Sequence, residues 1–484
     1  MTNTPIRNSA QTQSPFPCSI LPLPSHLAGF NCIKAGTFYS IDNEIGEIMP
    51  HIYYEGVLDK ILEERACPIC GCKMHVKSQA KITLRHIPLG GHATTIAYYI
   101  KQYKCECCLK TKTQNAQFKH LIHRMTYELY DYICHALATG EFTVKTIARM
   151  TGVGKTTIKK IDAERLALLY TTDGKKFIKP EEQATFLAID EFLLHHDHCY
   201  ATHIIDLQRG RVLWVARGKK KQVVYDFINH VGLEWMSKVV AVACDMNSDF
   251  QKAFQEKCPH ITIVFDHFHL IKNFNAVIDN IRKDEQKRLV LEGRPEEAKR
   301  LKGSKYILIA NRWTLQEQDK EALEKWKAES RGKPESERRQ EPKSRESRYD
   351  EIIRENWLLF ICDLIKEAFK RAYEIKAKKE MEDEIKWIIN ICDETENTHL
   401  VKFANLLRNH FDGIVAHADF LISSGKIEGI NNKIKTLRRR AYGYPDDDYF
   451  FLKLFDITRK KKRNRIKPEM LPEPEVFYDV SNAA

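Results

Sequence analysis

Two apolar, β-branched runs that each stop at an aspartate constrain this chain more than any other feature: residues 185–189 run into Asp190, and residues 239–244 run into Asp245. Both runs are apolar on both faces, which is how central strands read in a sheet covered on each side. Ligands of such sheets gather at the strand ends. A third acid, Glu428, lies in the segment 424–433. At about 100° per residue, Ile427, Ile430, Ile434, Leu437 and Ala441 fall in one arc of a helix, while Glu428, Asn432, Lys435 and Arg439 fall in another. One face packs and the other faces a cleft. An acid ending a strand is usually a turn or cap residue, and a salt-bridged surface helix shows the same arcs. Taken together, two strand acids and a helix acid supply the hard oxygen donors that hold two divalent ions for phosphate chemistry.

The same region alternates strands with helices. Residues 186–189, 201–206, 212–216, 239–244 and 261–265 read as strands, and 221–231 as a helix, which predicts a mixed sheet with helices on its faces. The distance from Asp245 to Glu428 is too long for an uninterrupted small α/β domain, so residues 281–405, rich in Lys, Glu and Arg, read as a helical insertion. Its tryptophans, Trp313, Trp326, Trp357 and Trp387, are expected in the helical core rather than as platforms for stacked bases. Residues 330–349 are nearly all charged or polar and read as a flexible excursion.

Upstream the signals change. Of 14 cysteines, Cys67, Cys70, Cys105 and Cys108 form a paired CxxC pattern around a hairpin turned at Gly90 and Gly91, with strands near 82–87 and 94–103. Four thiolates at that spacing surround one structural Zn²⁺, leaving no open position for a substrate. Cys72 and Cys107 are alternative ligands. Residues 126–169 read as helical. Within them Ile147, Met150, Val153, Ile158 and Ile161 let two short helices, broken at Gly152, share a small core in a helix-turn-helix pattern. Its second helix would turn Lys155, Thr156, Thr157, Lys159 and Lys160 toward a DNA major groove; a plain helical hairpin is the alternative. The Gly-Lys-Thr-Thr at 154–157 is not a phosphate-binding P-loop, because Arg149 stands where that motif needs glycine and no strand precedes it.

Charge agrees with a polyanionic partner. The net charge is +12, with cation runs at 219–221, 438–440 and 459–465, although each run alone also fits a solvated surface. A hydrophobic content of 43% is that of a globular protein. No apolar stretch approaches bilayer-spanning length and no signal peptide opens the chain, so a cytoplasmic protein without a membrane partner is expected.

The segment 424–444, with residues 188–192 and 265–272 upstream, resembles the ISL-three family of insertion-sequence transposases, and the likeness runs from about Cys67 to Leu454. The extra Cys107, the polar start and the charged segment 329–350 depart from it. The resemblance implies an RNase H-like catalytic domain whose Asp, Asp, Glu triad falls on Asp190, Asp245 and Glu428, with a DxFH element on Asp266, Phe268 and His269 that sets His269 near the reacting phosphate. It gives a multidomain α/β architecture: an N-terminal arm (1–50), a zinc-ribbon domain (51–125), a helix-turn-helix DNA-binding domain (126–175), an RNase H-like mixed sheet flanked by helices (180–280), the helical insertion (281–405), the second catalytic part (406–460) and a C-terminal tail (461–484). The expected activity is Mg²⁺-dependent cleavage and strand transfer with two ions, Mn²⁺ being a substitute, and with Asp190 bridging both. Water first frees a 3′ hydroxyl at the transposon end, and that hydroxyl then attacks target DNA at the same centre. The partners are double-stranded DNA, both terminal inverted repeats and target, contacted also by Lys435 and Arg439, and a second copy in a homodimer. A DNA-binding regulator and a nuclease without joining activity are the alternatives. His195, His196 and His198 are expected on a surface loop.

Overall fold

The structure is a computed structural model that describes residues 27, 29–41, 48–58, 66–246, 248–265, 267–420, 422 and 425–459. The chain divides into two compact units, Met1–Ile178 with Leu437–Ala484, and Lys179–Thr436.

In the first unit, β1 (Phe30–Ile41), β2 (Ile48–Leu58), β3 (Met74–Leu89), β4 (His92–Cys105) and β5 (Thr111–Thr113) form one sheet in the order β1-β2-β4-β3, with β5 paired to β4. The β3–β4 hairpin turns at Gly90 and Gly91, whose φ of 56° and 81° are both left-handed. Glycine adopts two such angles in succession without steric cost, which fixes the hairpin where the sequence predicts it. Strand alternation sends Ile52, Tyr54, Leu84, Ile96 and Tyr98 to one face, packed on Ala116 and Phe118. Residues 30–41, grouped by composition with the arm, instead form β1, paired along its length with β2. Three helices follow: α1 (Tyr127–Thr139), α2 (Val144–Thr151) and α3 (Lys155–Tyr170). Thr143 caps α2 by accepting from the Thr146 N–H, and Gly152, at φ 68°, ends it. Ile147, Val153, Ile158 and Ile161 then share a core with Leu129, Ile133 and Leu137. A short pairing of β6 (Thr171–Thr172) with β7 (Lys176–Phe177) leads out.

The second unit opens with β8 (Phe186–His195), β9 (Cys199–Asp206), β10 (Arg211–Arg217), α4 (Lys221–Val231), α5 (Leu233–Met236), β11 (Ala241–Cys244), α6 (Ser248–Lys257) and β12 (Thr262–Phe265). The sheet order is β10-β9-β8-β11-β12. The first three strands are antiparallel neighbours, and β11 runs parallel to both β8 and β12. All five strands and α4 overlap the ranges that the periodicity sets, but β8 runs on past Ile189 to His195. Val224 and Phe227 of α4 and Phe250 and Phe254 of α6 join Leu187, Ile189 and Val242 in the core.

Helices continue as α7 (His267–Leu291), α8 (Pro295–Leu301), α9 (Lys305–Ile309), α10 (Arg312–Ser330), α11 (Arg345–Glu355), α12 (Trp357–Glu374), α13 (Lys378–Glu394), α14 (Thr398–Asn409), α15 (Phe411–Val415) and α16 (His417–Phe420). Ile365, Phe369, Ile385, Ile388 and Phe403 pack with Phe274 of α7. The tryptophans do not supply this core: Trp313 and Trp357 are 70% and 68% exposed, and Trp387 is exposed as well. Trp313 and Trp357 occupy the first turns of α10 and α12; α10 buries little besides Leu315, and α12 buries Leu359, Ile361, Ile365 and Phe369 instead. Trp326 donates its indole N–H to the Arg339 carbonyl across the charged segment. The described chain ends with α17 (Gly425–Arg440) and α18 (Asp447–Thr458). Among the described residues no helix is long and apolar enough to cross a membrane.

Candidate functional site

Asp190 sits midway along β8 rather than at its end, because β8 continues to His195 against β9 after its pairing with β11 stops at Ala188. It marks the place where β8 loses a neighbour on one side. The parallel register sets Ala243 opposite Ala188, and Asp245 directly follows the end of β11, so both acids lie just past the point where the two strands stop pairing. Both aspartates are half-buried. Opposite Asp190 on β9 stands His203. It is fully buried, and burial pushes its imidazole down to about 4, leaving it neutral beside the acid.

Helix α17, which carries Glu428, is tied to the same sheet. Ile427, Ile430 and Ile434 are buried, while Glu428, Asn432, Lys435 and Arg439 are exposed, as the two arcs require. Lys426 anchors the helix start by donating to the Gln208 carbonyl at 2.7 Å. The direct link to the strand acids comes from a residue that the arcs did not single out: Asn431 donates Nδ2–H to Asp190 Oδ2 at 2.6 Å. Asp190 Oδ1 meanwhile accepts from the Glu191 N–H at 2.8 Å. Glu428 precedes Asn431 by three residues, a spacing that makes neighbours on a helix surface. His269 lies in the first turn of α7, half-buried, just beyond the end of β12 and thus at the edge where β11 also ends. Asp266 falls outside the described residues. His195, His196 and His198 are exposed around the β8–β9 turn, as expected.

These donors suit a hard divalent cation. The oxygens of Asp190, Asp245 and Glu428 do not all come within 4.8 Å of one another. Two ions about 4 Å apart, each about 2.1 Å from its ligands, would set the outer carboxylates up to about 8 Å apart, so closer approach is not required. Asn431 Oδ1 is buried with no hydrogen-bond partner among the described residues, an oxygen acceptor beside Asp190. In donor type, carboxylate and amide oxygens, these residues fit such ions.

In the first unit the sulfurs of Cys67, Cys70, Cys105 and Cys108 lie within 4.8 Å of one another. Cys67 Sγ is 3.4 Å from Cys108 Sγ, and Cys70 Sγ is 3.4 Å from Cys105 Sγ. Tetrahedral zinc thiolate requires about 3.8 Å between sulfurs, so this set fits zinc. The backbone N–H groups of Cys70 and Ile69 hold the Cys67 thiol down at about 6, and that of Cys108 lowers Cys105. The two knuckles share a turn geometry, with Gly71 at φ 70° and Leu109 at φ 59° each following a second cysteine. Cys72 and Cys107 are joined to each other by a disulfide, although Cys70 also lies within 4.8 Å of both.

At the start of α3, Lys155, Thr156 and Lys160 are exposed and Thr157 is half-buried. Lys159 turns aside, 3.6 Å from Asp446 Oδ2 and 5.3 Å from the centre of the Tyr449 ring.

By architecture this is a mixed α/β protein with a cysteine-knuckle sheet in one unit and an acid-bearing sheet in the other. Residues 187–454 match the DDE-type family of the ISL3 class, described as Transposase, over more than half of the chain. The chain belongs to that transposase family. It is 26% identical over 392 residues to the transposase for insertion sequence element IS1001 of Bordetella parapertussis, covering 80% of this chain and 87% of that protein. The transposase for insertion sequence element IS1557 of Mycobacterium tuberculosis, from strains CDC 1551 / Oshkosh and ATCC 25618 / H37Rv, is 25% identical over 277 residues, or 53% of this chain and 56% of its own length.

Proposed function

We propose that this chain binds the terminal inverted repeats of an insertion sequence and cuts and joins DNA strands at a centre formed by Asp190, Asp245 and Glu428. The observation that carries this reading is the hydrogen bond from Asn431 to Asp190, which ties the Glu428 helix to the strand acids. The mixed sheet, with acids on β8 and after β11, agrees with an RNase H-like catalytic core. The α2–α3 pair, turned at Gly152, acts as the helix-turn-helix, with Lys155, Thr156, Thr157 and Lys160 facing DNA and Lys159 available once it leaves Asp446. The Cys67, Cys70, Cys105 and Cys108 set holds a structural zinc. Residues 30–41 pair into the first unit's sheet, and the chain from Leu437 groups with that unit rather than with a second catalytic part at 406–460.

Two Mg²⁺ ions, or Mn²⁺ in their place, would neutralise the phosphate diester and align attacking and leaving oxygens. The chain supplies what they need. Asp190, Asp245 and Glu428 would hold them, and Asn431 fixes the rotamer of Asp190. His269 stands at the same sheet edge, beside the phosphate. Lys435 and Arg439 extend the cationic line of α17 along the DNA backbone. Transfer repeats the cleavage displacement with the freed 3′ hydroxyl as nucleophile, so one set of acids serves both steps. Pairing two transposon ends calls for two copies of the chain.

The test is a Mg²⁺ assay on DNA carrying the element's inverted repeats. The wild type nicks at the repeat end and joins the product to target. Asp190→Asn, Asp245→Asn and Glu428→Gln bind the repeats but do not nick. Binding without nicking by the wild type identifies a regulator, and nicking without joining a nuclease.

A further inference from the structure

The cysteine-knuckle sheet has two unlike faces. Its inner face is apolar and packed, whereas a row of aligned residues crosses its outer face: Gly36 on β1 pairs with Tyr53 on β2, Tyr53 with Thr95 on β4, and Thr95 with Arg85 on β3. Gly36 has no side chain, and a Cβ there would meet nothing within 4 Å, so the row is hollow beside Tyr53. Phe38, Thr83 and Arg124 complete the rim of a cavity of about 650 Å³, within the size range of small-ligand sites.

Two guanidinium groups line this hollow. Arg85 is half-buried and donates to Thr95 Oγ1 at 2.8 Å, and Arg124 is exposed. Neither guanidinium meets a carboxylate among the described residues. Burial lowers the Arg85 pKa. The nearest acid on this face, Glu55, is taken by Lys81 at 2.8 Å and by the hydroxyls of Tyr53 and Tyr99. The Arg85 guanidinium carbon lies 3.4 Å from where a Cβ of Gly152 would stand, so the hollow adjoins the α2–α3 turn.

Guanidinium forks match phosphate, and exposed aromatic rings on a sheet stack unpaired bases. We propose that this hollow holds one unstacked nucleotide of a DNA strand, its phosphate on Arg85 and Arg124 and its base on Tyr53 and Phe38. The site accepts any base, since it offers a ring face and cations rather than a hydrogen-bonding edge. The choice of DNA as ligand rests on the transposase reading above.

The test uses the full chain and a short fluorescein-labelled single strand of thymidines, followed by anisotropy, with binding of an inverted-repeat duplex measured in parallel. The double variant Arg85→Gln/Arg124→Gln should bind the single strand at least tenfold more weakly, flatten its salt dependence by about one unit of log–log slope, and keep its zinc content. Tyr53→Ala should weaken single-strand binding, while Tyr53→Phe, which keeps the ring, should bind as the wild type does. Wild-type affinity for the single strand in the double variant, or in Tyr53→Ala, overturns the proposal. So does a wild type that binds the duplex and ignores the single strand, an outcome that leaves the transposase reading intact. A wild type that binds no repeat duplex overturns that reading as well.

Discussion

Asn431 donates one amide hydrogen to Asp190 and leaves its own oxygen buried without a partner among the described residues. Replacing it with leucine keeps the helix but frees the Asp190 carboxylate to rotate. Lost partners of this kind cost about 10–100-fold in metal affinity or activity, so Asn431→Leu should nick repeat DNA about 10–100-fold more slowly. Gel-shift affinity for the repeats should be unchanged, and an equal fall in binding would mean that the substitution acts through folding. The sequence hides this residue for a geometric reason. Taking Glu428 as zero, Asn431 falls at about 300° around the helix, between the apolar arc and the acidic one. A residue on that border reads as neither packed nor cleft-facing, and only its cross-sheet partner reveals its place. The cysteines were more legible, because spacing alone brings CxxC pairs together. Cys105→Ser should release zinc, measured colorimetrically, and abolish repeat binding, since a small unit of this type owes much of its folding energy to the ion.

Between α3 and α18 lies a buried charge cluster. Asp162 on α3 accepts from Tyr449 at 2.6 Å, Lys453 at 2.8 Å and Arg165 at 2.9 Å, and Arg165 also reaches Asp456 at 3.0 Å. Burial would raise the Asp162 pKa, but Lys453 and its other partners outweigh that and hold it below the usual carboxylate value. A carboxylate depressed in the folded state stabilises above its unfolded pKa and loses that contribution as pH falls through the folded one. Asp162→Asn should therefore cost roughly 3 kcal/mol near neutral pH, mostly because Lys453 stays buried without its partner. In urea titrations this gap between variant and wild type should narrow once the pH drops below about 4; a constant gap would show that the charge is not what matters. No pattern along α3 announces the cluster, because its other half is nearly three hundred residues away. Elements formed by local periodicity fared better: α4 runs over Lys221–Val231 as its spacing sets it. Where partners decide, sequence misleads. β8 passes through Asp190 because β9 continues to pair it, Trp357 stays on the surface because Leu359, Ile361 and Ile365 already fill the buried stripe of α12, and Trp313 sits on a helix that buries little besides Leu315.

At the scale of the molecule, the candidate acids and the candidate DNA-reading helix belong to different compact units, so the proposed binding and chemistry should be separable by substitution. That division was legible in outline from the change in motif type between the cysteine pairs and the acid-ended strands. The return of residues 437–484 to the first unit was not, since only long-range packing of α18 on α3 creates it. Salt tests the separation. A chain of net charge +12 that grips repeat DNA through six or more phosphates should lose about a thousandfold in affinity between about 50 and 200 mM salt, because each contact releases condensed counter-ions. Asp190→Asn alters charge at the acid centre and not at those contacts. Its log–log slope should match the wild type's while its nicking is gone. A shallower slope in Asp190→Asn would place part of the phosphate grip at the acids themselves and join the two functions that the two units divide.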